Sequence, residues 1–275
     1  MLENKKVCFV GAGAMAEAVL AGMLNKRLIK PGAVSVTNRS DRFRLDELVY
    51  NFGVIADADQ KQKSISEADI LILAMKPKDV RSAIMEIKGL THSKQLILSV
   101  VAGIPTQLIS TLLGHEAPII RTMPNTSAMI GYSATGMCQG VTATEEHVAL
   151  AKHIFESIGI VEIVEEDQLD AVTGLSGSGP AYIYLLVEAM KIGAIEAGLS
   201  ESVSTQLIQQ TLIGAAHMLS ETGQEPSALR EKVTSPNGTT EAGIEVLRKY
   251  RFEQGIIDCI VRATERSREL GEEFK

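Results

Sequence analysis

The chain has 275 residues, 27 basic and 34 acidic side chains, and a formal net charge of −7. At roughly 100–200 residues per domain, that length is one large domain or two ordinary ones, and a hydrophobic content of 45% supports a sizeable core, which excludes disordered and collagen-like chains. The acidic balance speaks against nucleic-acid and membrane-surface partners, because phosphate backbones attract clustered Lys and Arg.

The opening stretch, MLENKKVCFVGAGAM, is no secretory leader, because Val7–Val10 is too short for an apolar signal core. Short runs of Val, Ile and Leu follow at Lys6–Val10, Val34–Thr37, Ile70–Ala74, Leu96–Val100 and Ile119–Thr122. Continuous apolar runs of this length suit strands buried on both faces of a parallel sheet. Helical patterns separate them at Ala14–Leu28, Asp41–Tyr50, Lys78–Ile87 and Pro105–Leu113, with Asp41 as an N-cap and Pro105 in a first turn. This βαβα alternation predicts an α/β fold with a doubly wound sheet. A weaker strand at Ser133–Cys138, a helix at Glu145–Ile158 and a strand at Ile160–Val164 complete this half. The uncharged stretch around them, 122–144, contains Pro124, Asn125, Gly131 and Gly136 and cannot be a membrane helix. A cytoplasmic protein is expected.

From Glu166 onward no strand pattern recurs. Helices are predicted at Pro180–Ala197, Ser202–Ser220, Glu241–Lys249 and Glu253–Leu270. The domain boundary is therefore placed at 165/166, with an α/β domain over 1–165 and an all-helical domain over 166–275. Ser202–Ser220 lacks Asp, Glu, Lys and Arg altogether. Helices apolar on most faces need burial, and a helical domain of this size hides them most simply against a second copy of itself.

Three segments carry chemistry. Val10-Gly11-Ala12-Gly13-Ala14-Met15-Ala16 runs from the first strand into a helix as Gly-x-Gly-x-x-Ala. Gly11 permits the tight turn, Gly13 lets the backbone approach a pyrophosphate, and Ala16 is small enough for helix–strand contact. The helix N-terminus then presents free N–H groups to phosphate. The second strand ends Thr37-Asn38-Arg39-Ser40, without the carboxylate that would bond a ribose 2′-hydroxyl. Arg39 suits a 2′-phosphate, which favours NADPH over NADH; a solvated surface charge is the alternative. Ala74-Met75-Lys76-Pro77 and Val100-Val101-Ala102-Gly103 lie at further carboxyl ends of strands, where open α/β sheets bind ligands, and Asn125 follows another.

Thr234-Ser235-Pro236-Asn237-Gly238-Thr239-Thr240 is the second segment, a turn delivering N–H groups and hydroxyls to a helix N-terminus and so a ready anion site. An ordinary N-cap by Thr239 or Thr240 explains the same pattern. The third, Gly174-Leu175-Ser176-Gly177-Ser178-Gly179-Pro180, opens the long apolar helix, and its glycines suggest close packing. The cysteines, Cys8, Cys138 and Cys259, are odd in number and far apart. They make neither a disulfide framework nor a zinc pattern, and the histidines show no metal spacing, so no metal is expected.

Together these motifs, with Arg121-Thr122-Met123-Pro124-Asn125-Thr126 and Asp170–Tyr182, resemble the pyrroline-5-carboxylate reductase family over nearly the whole chain. The resemblance implies a Rossmann-like N-terminal domain and a helical domain that interlocks with a partner's, so that each active site takes residues from both subunits. It implies reduction of the C=N bond of 1-pyrroline-5-carboxylate to L-proline by NADPH or NADH. Thr240 then bonds the substrate nitrogen, and Asn237, Gly238 and Thr239 hold the substrate carboxylate through backbone N–H groups. Glu166 lies on the substrate side. Val10–Met15, Asn38, Arg39, Ala74–Pro77, Val100–Ala102 and Asn125 hold the cofactor.

The family usually has Pro-Gly-Gly where this chain has Pro236-Asn237-Gly238, and Asn tolerates a left-handed backbone better than most residues. Lys61 stands where relatives often carry an Asn touching the cofactor, and Lys232 where some carry one near the substrate. A β-hydroxyacid dehydrogenase shares the two-domain plan and the spacing of Gly174, Gly177 and Gly179. Its catalytic lysine is replaced here by Ile183, which cannot move a proton. A silent cofactor-binding regulator would lack a use for Thr240.

Overall fold

Four short runs buried at every position carry the architecture of the computed structural model, which describes residues 2–56 and 60–272. They are β1 (Val7–Val10), β2 (Val34–Thr37), β3 (Ile70–Leu73) and β4 (Leu96–Ser99), followed by β5 (Ile119–Met123), β6 (Ser133–Gln139) and β7 (Gly159–Ile163). They form one sheet in the order β2-β1-β3-β4-β5-β6-β7. All neighbours run parallel except β5 and β6, which are antiparallel.

Alternate residues of each strand feed cores on opposite faces. Val7, Phe9, Ile70, Ile72, Leu96 and Leu98 pack with α1 (Ala14–Asn25), α2 (Arg42–Phe52) and α6 (Glu145–Phe155). Cys8, Val10, Leu71, Leu73 and Ile97 pack with α3 (Lys61–Ser66), α4 (Val80–Ile87) and α5 (Thr106–Leu113). This two-sided burial explains why the strands read as unbroken apolar runs. The expected Asp41 cap is present, its carboxylate accepting from the Arg44 N–H at 2.9 Å; Pro105 stands one position ahead of the expected first turn, as the N-cap of α5.

Beyond the sheet come α7 (Leu169–Val172), a π-helical turn at Thr173–Gly177, α8 (Gly179–Glu196), α9 (Glu201–Thr222), α10 (Pro226–Lys232), α11 (Thr239–Lys249) and α12 (Phe252–Glu272). Among the described residues no strand follows β7, and no helix is long and apolar enough to cross a membrane. The short helices α3, α7 and α10 were not expected; each is too brief to display a helical period.

By contacts the chain forms two units: residues 1–178 with 261–275, and residues 179–260. The segment after Glu166 therefore groups with the sheet although its composition is that of the helical half. Polar fastenings explain this. Glu166 Oε1 accepts from the Thr106 N–H at 2.7 Å, and its Oε2 from the Thr106 hydroxyl at 2.8 Å. The buried Arg121 guanidinium lies 3.5 Å from the same carboxylate. The Asn125 side chain donates to the Ser176 carbonyl at 3.0 Å, and the Ser267 hydroxyl of α12 to Asp170 at 2.6 Å.

In the second unit α8 has no buried residue, and α9 buries only Ser204 and Ile208. Tyr184, Leu185, Ile192 and Leu207 stand more than half exposed on a single chain.

Replacing Glu166 with Ala strands the buried Arg121 and uncaps α5. The unfolding free energy should fall by about 2 kcal/mol, the scale of an unsatisfied buried donor with charge. Urea denaturation measures it, and an unchanged midpoint would remove Glu166 from the fastening.

Candidate active site

The strand order β2-β1-β3 puts a topological switch between β1 and β3, where the chain's crossovers diverge and leave a crevice at the carboxyl ends. Gly11 ends β1 there with φ +117°, and a Cβ on it would sit 2.4 Å from the Ala74 carbonyl oxygen. Only glycine satisfies both the backbone angle and that approach. The Gly11 N–H donates to the Thr37 carbonyl at 2.8 Å, and the Ala74 N–H to the Val10 carbonyl at 2.9 Å, so three strand ends close on one point. Gly13 differs: nothing lies within 4 Å of an added Cβ. It is the N-cap of α1 and carries no side-chain cap, so the first-turn amides of α1 are open to a ligand.

A cavity of about 730 Å³ occupies this crevice. Its walls include Val10, Gly11, Ala12, Gly13, Asn38, Arg39, Ala74, Met75 and Lys76, all expected from the sequence. Ala14 and Met15 continue into α1, and Pro77 follows the wall without lining it. Val100, Val101 and Ala102 follow β4, outside this cavity, as does Asn125, whose side chain caps the 3-10 turn Thr126–Ile130. Glu166 is likewise outside it, engaged by Thr106 and Arg121.

Among the described residues the cavity wall carries five basic side chains against three acidic ones, which favours an anionic guest. The side chains of Arg39, Lys76 and Lys78 form no hydrogen bond or ion pair with any described residue. Arg44 and Glu86 also line it and were missed, because no local pattern links them to the glycine loop. Arg44 holds that loop from outside: its Nε donates to the Ala12 carbonyl at 2.9 Å while its terminal nitrogens meet Glu17 and Glu47. Those two carboxylates, Glu17 first, push the guanidinium pKa up further.

The second candidate segment lies in the helical unit. Asn237 adopts φ +58°, the left-handed backbone that its side chain tolerates. A Cβ on Gly238 would meet the Ser235 hydroxyl at 2.5 Å, which keeps this position small. Two of the amides expected to receive a carboxylate are already used: Asn237 N–H donates to Glu241 at 2.6 Å, and Gly238 N–H to the Ser235 carbonyl at 3.0 Å. Gly238 is the N-cap of α11 without a side-chain cap, so neither Thr239 nor Thr240 serves as one. The amides of Thr239 and Thr240, in the first turn, remain open. The half-buried Thr240 hydroxyl has no partner among the described residues. Lys232 donates to Gln224 instead of facing this turn's backbone.

Other chemistries find little support. Burial pushes the thiol of Cys8 up to about 11 and that of Cys138 to about 12, so neither is a nucleophile at neutral pH. Among the described residues no group of three or more His, Cys, Asp or Glu side chains is placed to hold a metal ion.

Comparison with known proteins bears on this geometry. Residues 166–270 match the family model "Pyrroline-5-carboxylate reductase dimerisation", and residues 6–103 match "NADP oxidoreductase coenzyme F420-dependent". Pyrroline-5-carboxylate reductase 1 of Bacillus subtilis is 44% identical over 275 residues, which is 100% of this chain and 92% of the relative.

This chain belongs to the pyrroline-5-carboxylate reductase family.

The Arabidopsis thaliana pyrroline-5-carboxylate reductase is 38% identical over 98% of the chain and 97% of its own length. A Coxiella burnetii reductase structure superposes with a TM-score of 0.89 at 36% identity, covering 98% of this chain and 99% of that one. The Plasmodium falciparum reductase, solved with NADP bound, gives the same TM-score at 28% identity and covers 98% and 100%. The Rossmann-like fold and the helical dimerisation segment expected from the family motifs thus hold.

Gly11→Ala should cost about 1–3 kcal/mol, the scale of local backbone strain. Gly13→Ala, which meets open space, should cost under about 1 kcal/mol. Urea midpoints of the two variants compare them directly, and equal losses would contradict the close approach at Ala74.

Proposed function

We propose that this chain reduces the C=N bond of 1-pyrroline-5-carboxylate to L-proline with NADPH, or NADH in its place, as the last step of proline biosynthesis in the cytoplasm. Full-length similarity to pyrroline-5-carboxylate reductases at 44% identity carries the reading. The glycine-turn cavity and the open Thr240 turn support it.

The cavity suits a dinucleotide. Open amides at the start of α1, free space at Gly13 and the unpaired Arg39, Lys76 and Lys78 fit its phosphates. Val10–Met15 and Ala74–Pro77 form the diphosphate side, Asn38 and Arg39 the adenosine side. Val100–Ala102 and Asn125 belong toward the nicotinamide end. When bound, the dinucleotide supplies the hydride that the imine carbon accepts.

Thr239 and Thr240 receive the substrate carboxylate on their first-turn amides, where the partial positive charge of α11 assists. Asn237 and Gly238 shape the turn. The Thr240 hydroxyl bonds the ring nitrogen, keeps it oriented and lets it end protonated. Glu166 supports the site through Thr106 and Arg121. A protonated cyclic imine is already electrophilic, so holding donor and acceptor carbons at about 3–3.5 Å supplies much of the acceleration. That accounts for a site with no His or Lys acid–base pair.

The exposed apolar faces of α8 and α9 serve a homodimer, or a multiple of dimers, in which each site takes residues from both subunits.

The test is oxidation of NADPH, followed spectrophotometrically, with 1-pyrroline-5-carboxylate and separately NADP with a 3-hydroxy acid. Turnover is expected only in the first. Thr240→Ala should lower it by about ten-fold or more, at least about 1.4 kcal/mol of transition-state stabilisation, whereas Thr240→Ser should retain most of it. Turnover with the hydroxy acid, or a folded Thr240→Ala enzyme at full rate, would contradict the assignment.

A further inference from the structure

The end of β2 carries a second cation that the glycine-loop pattern does not reveal. Lys61, the first residue of α3, brings its Nζ to 3.4 Å from the Asn38 carbonyl oxygen. It thus stands where a carboxylate would bond a ribose 2′-hydroxyl in a domain selective for the unphosphorylated dinucleotide. The Asn38 side chain does not compete for the place, because its amide donates to the Asp41 carbonyl at 2.6 Å.

Beside it opens a cleft of about 220 Å³, walled by Thr37, Asn38, Arg39, Ser40, Arg42 and Lys61 among others. Three of these side chains are cationic, and none of the described lining residues is a carboxylate. A water occupies about 30 Å³ of liquid, so a phosphate group fits. The Lys61 side chain is only 24% exposed. It pairs with Glu86 of α4 at 2.6 Å, a carboxylate that is itself 56% exposed. An exposed ion pair of this kind contributes little, and a doubly charged phosphate is the stronger partner.

We propose that Lys61, acting with Arg39, clamps the 2′-phosphate of the dinucleotide and sets this chain's preference for NADPH, with Glu86 as the counter-ion it gives up. The inference rests on the reductase reading for its cofactor, but its ligand chemistry stands apart. Glu86 also acts as a brake: it competes with the phosphate for one ammonium.

Two measurements separate the inference from that reading. In steady-state assays Lys61→Ala should lower the NADPH-to-NADH ratio of kcat/KM by roughly ten-fold, the scale of one charge-assisted contact, with the loss carried by KM for NADPH. Lys61→Arg should keep most of the ratio. In calorimetric titrations, Lys61→Ala should weaken adenosine 2′,5′-bisphosphate by a similar factor relative to 5′-AMP, and Glu86→Gln should tighten it. Parallel losses for both nucleotides, or an unchanged ratio, would overturn the role of Lys61. A wild-type protein that binds the bisphosphate through Lys61 yet reduces no imine would leave the clamp standing and defeat the reductase reading instead.

Discussion

The approach of Gly11 to the Ala74 carbonyl is the constraint on which the site depends. At the switch between β1 and β3 the two strand ends must come within van der Waals contact, and a side chain at Gly11 would occupy the space of a backbone oxygen. Because the turn closes there, α1 starts directly after the cavity-lining Gly13, and no side chain caps its first amides. Arg44 fixes the other side of the loop by taking the Ala12 carbonyl, and its own charge is absorbed by Glu17 and Glu47. The cations left unpaired, Arg39, Lys76 and Lys78, are therefore those that line the cavity without holding the fold together.

The helical half works by a different logic. Its helices carry apolar residues on faces that a single chain leaves in solvent, as suits a segment that associates with a second copy. The family match over 166–270 is named for that association. The segment from Glu166 is fastened within the sheet unit by the bonds of Glu166 to Thr106 and Arg121, of Ser176 to Asn125 and of Asp170 to Ser267. Buried polar groups of this kind hold only when each finds its partner.

Much of this was legible in the chain itself. The apolar runs from Val7, Val34, Ile70, Leu96 and Ile119 announce strands because burial on both faces leaves no polar alternation to confuse with a helix. The Gly11–Ala16 spacing locates the cavity because steric demands there admit few residues. The 3.6-residue period recovers α8, α9, α11 and α12, but six-residue α3 and four-residue α7 are set by tertiary contacts and leave no period to read. The hydrogen-bond partner of Glu166, Thr106, lies 60 residues away in sequence, and two of the partners of Arg44, Glu17 and the Ala12 carbonyl, lie on another helix and another loop. Long-range pairs of single polar residues have no local signature. The same holds for the occupied amides of Asn237 and Gly238, since the turn was evident but its internal hydrogen bonds were not.

The most direct test of the account uses NADPH deuterated at both hydrogens of the nicotinamide 4-position, with mass spectrometry of the proline formed. Direct transfer predicts one deuterium per molecule, at the ring carbon that was the imine carbon. Unlabelled proline, or none at all from the folded enzyme, would contradict it.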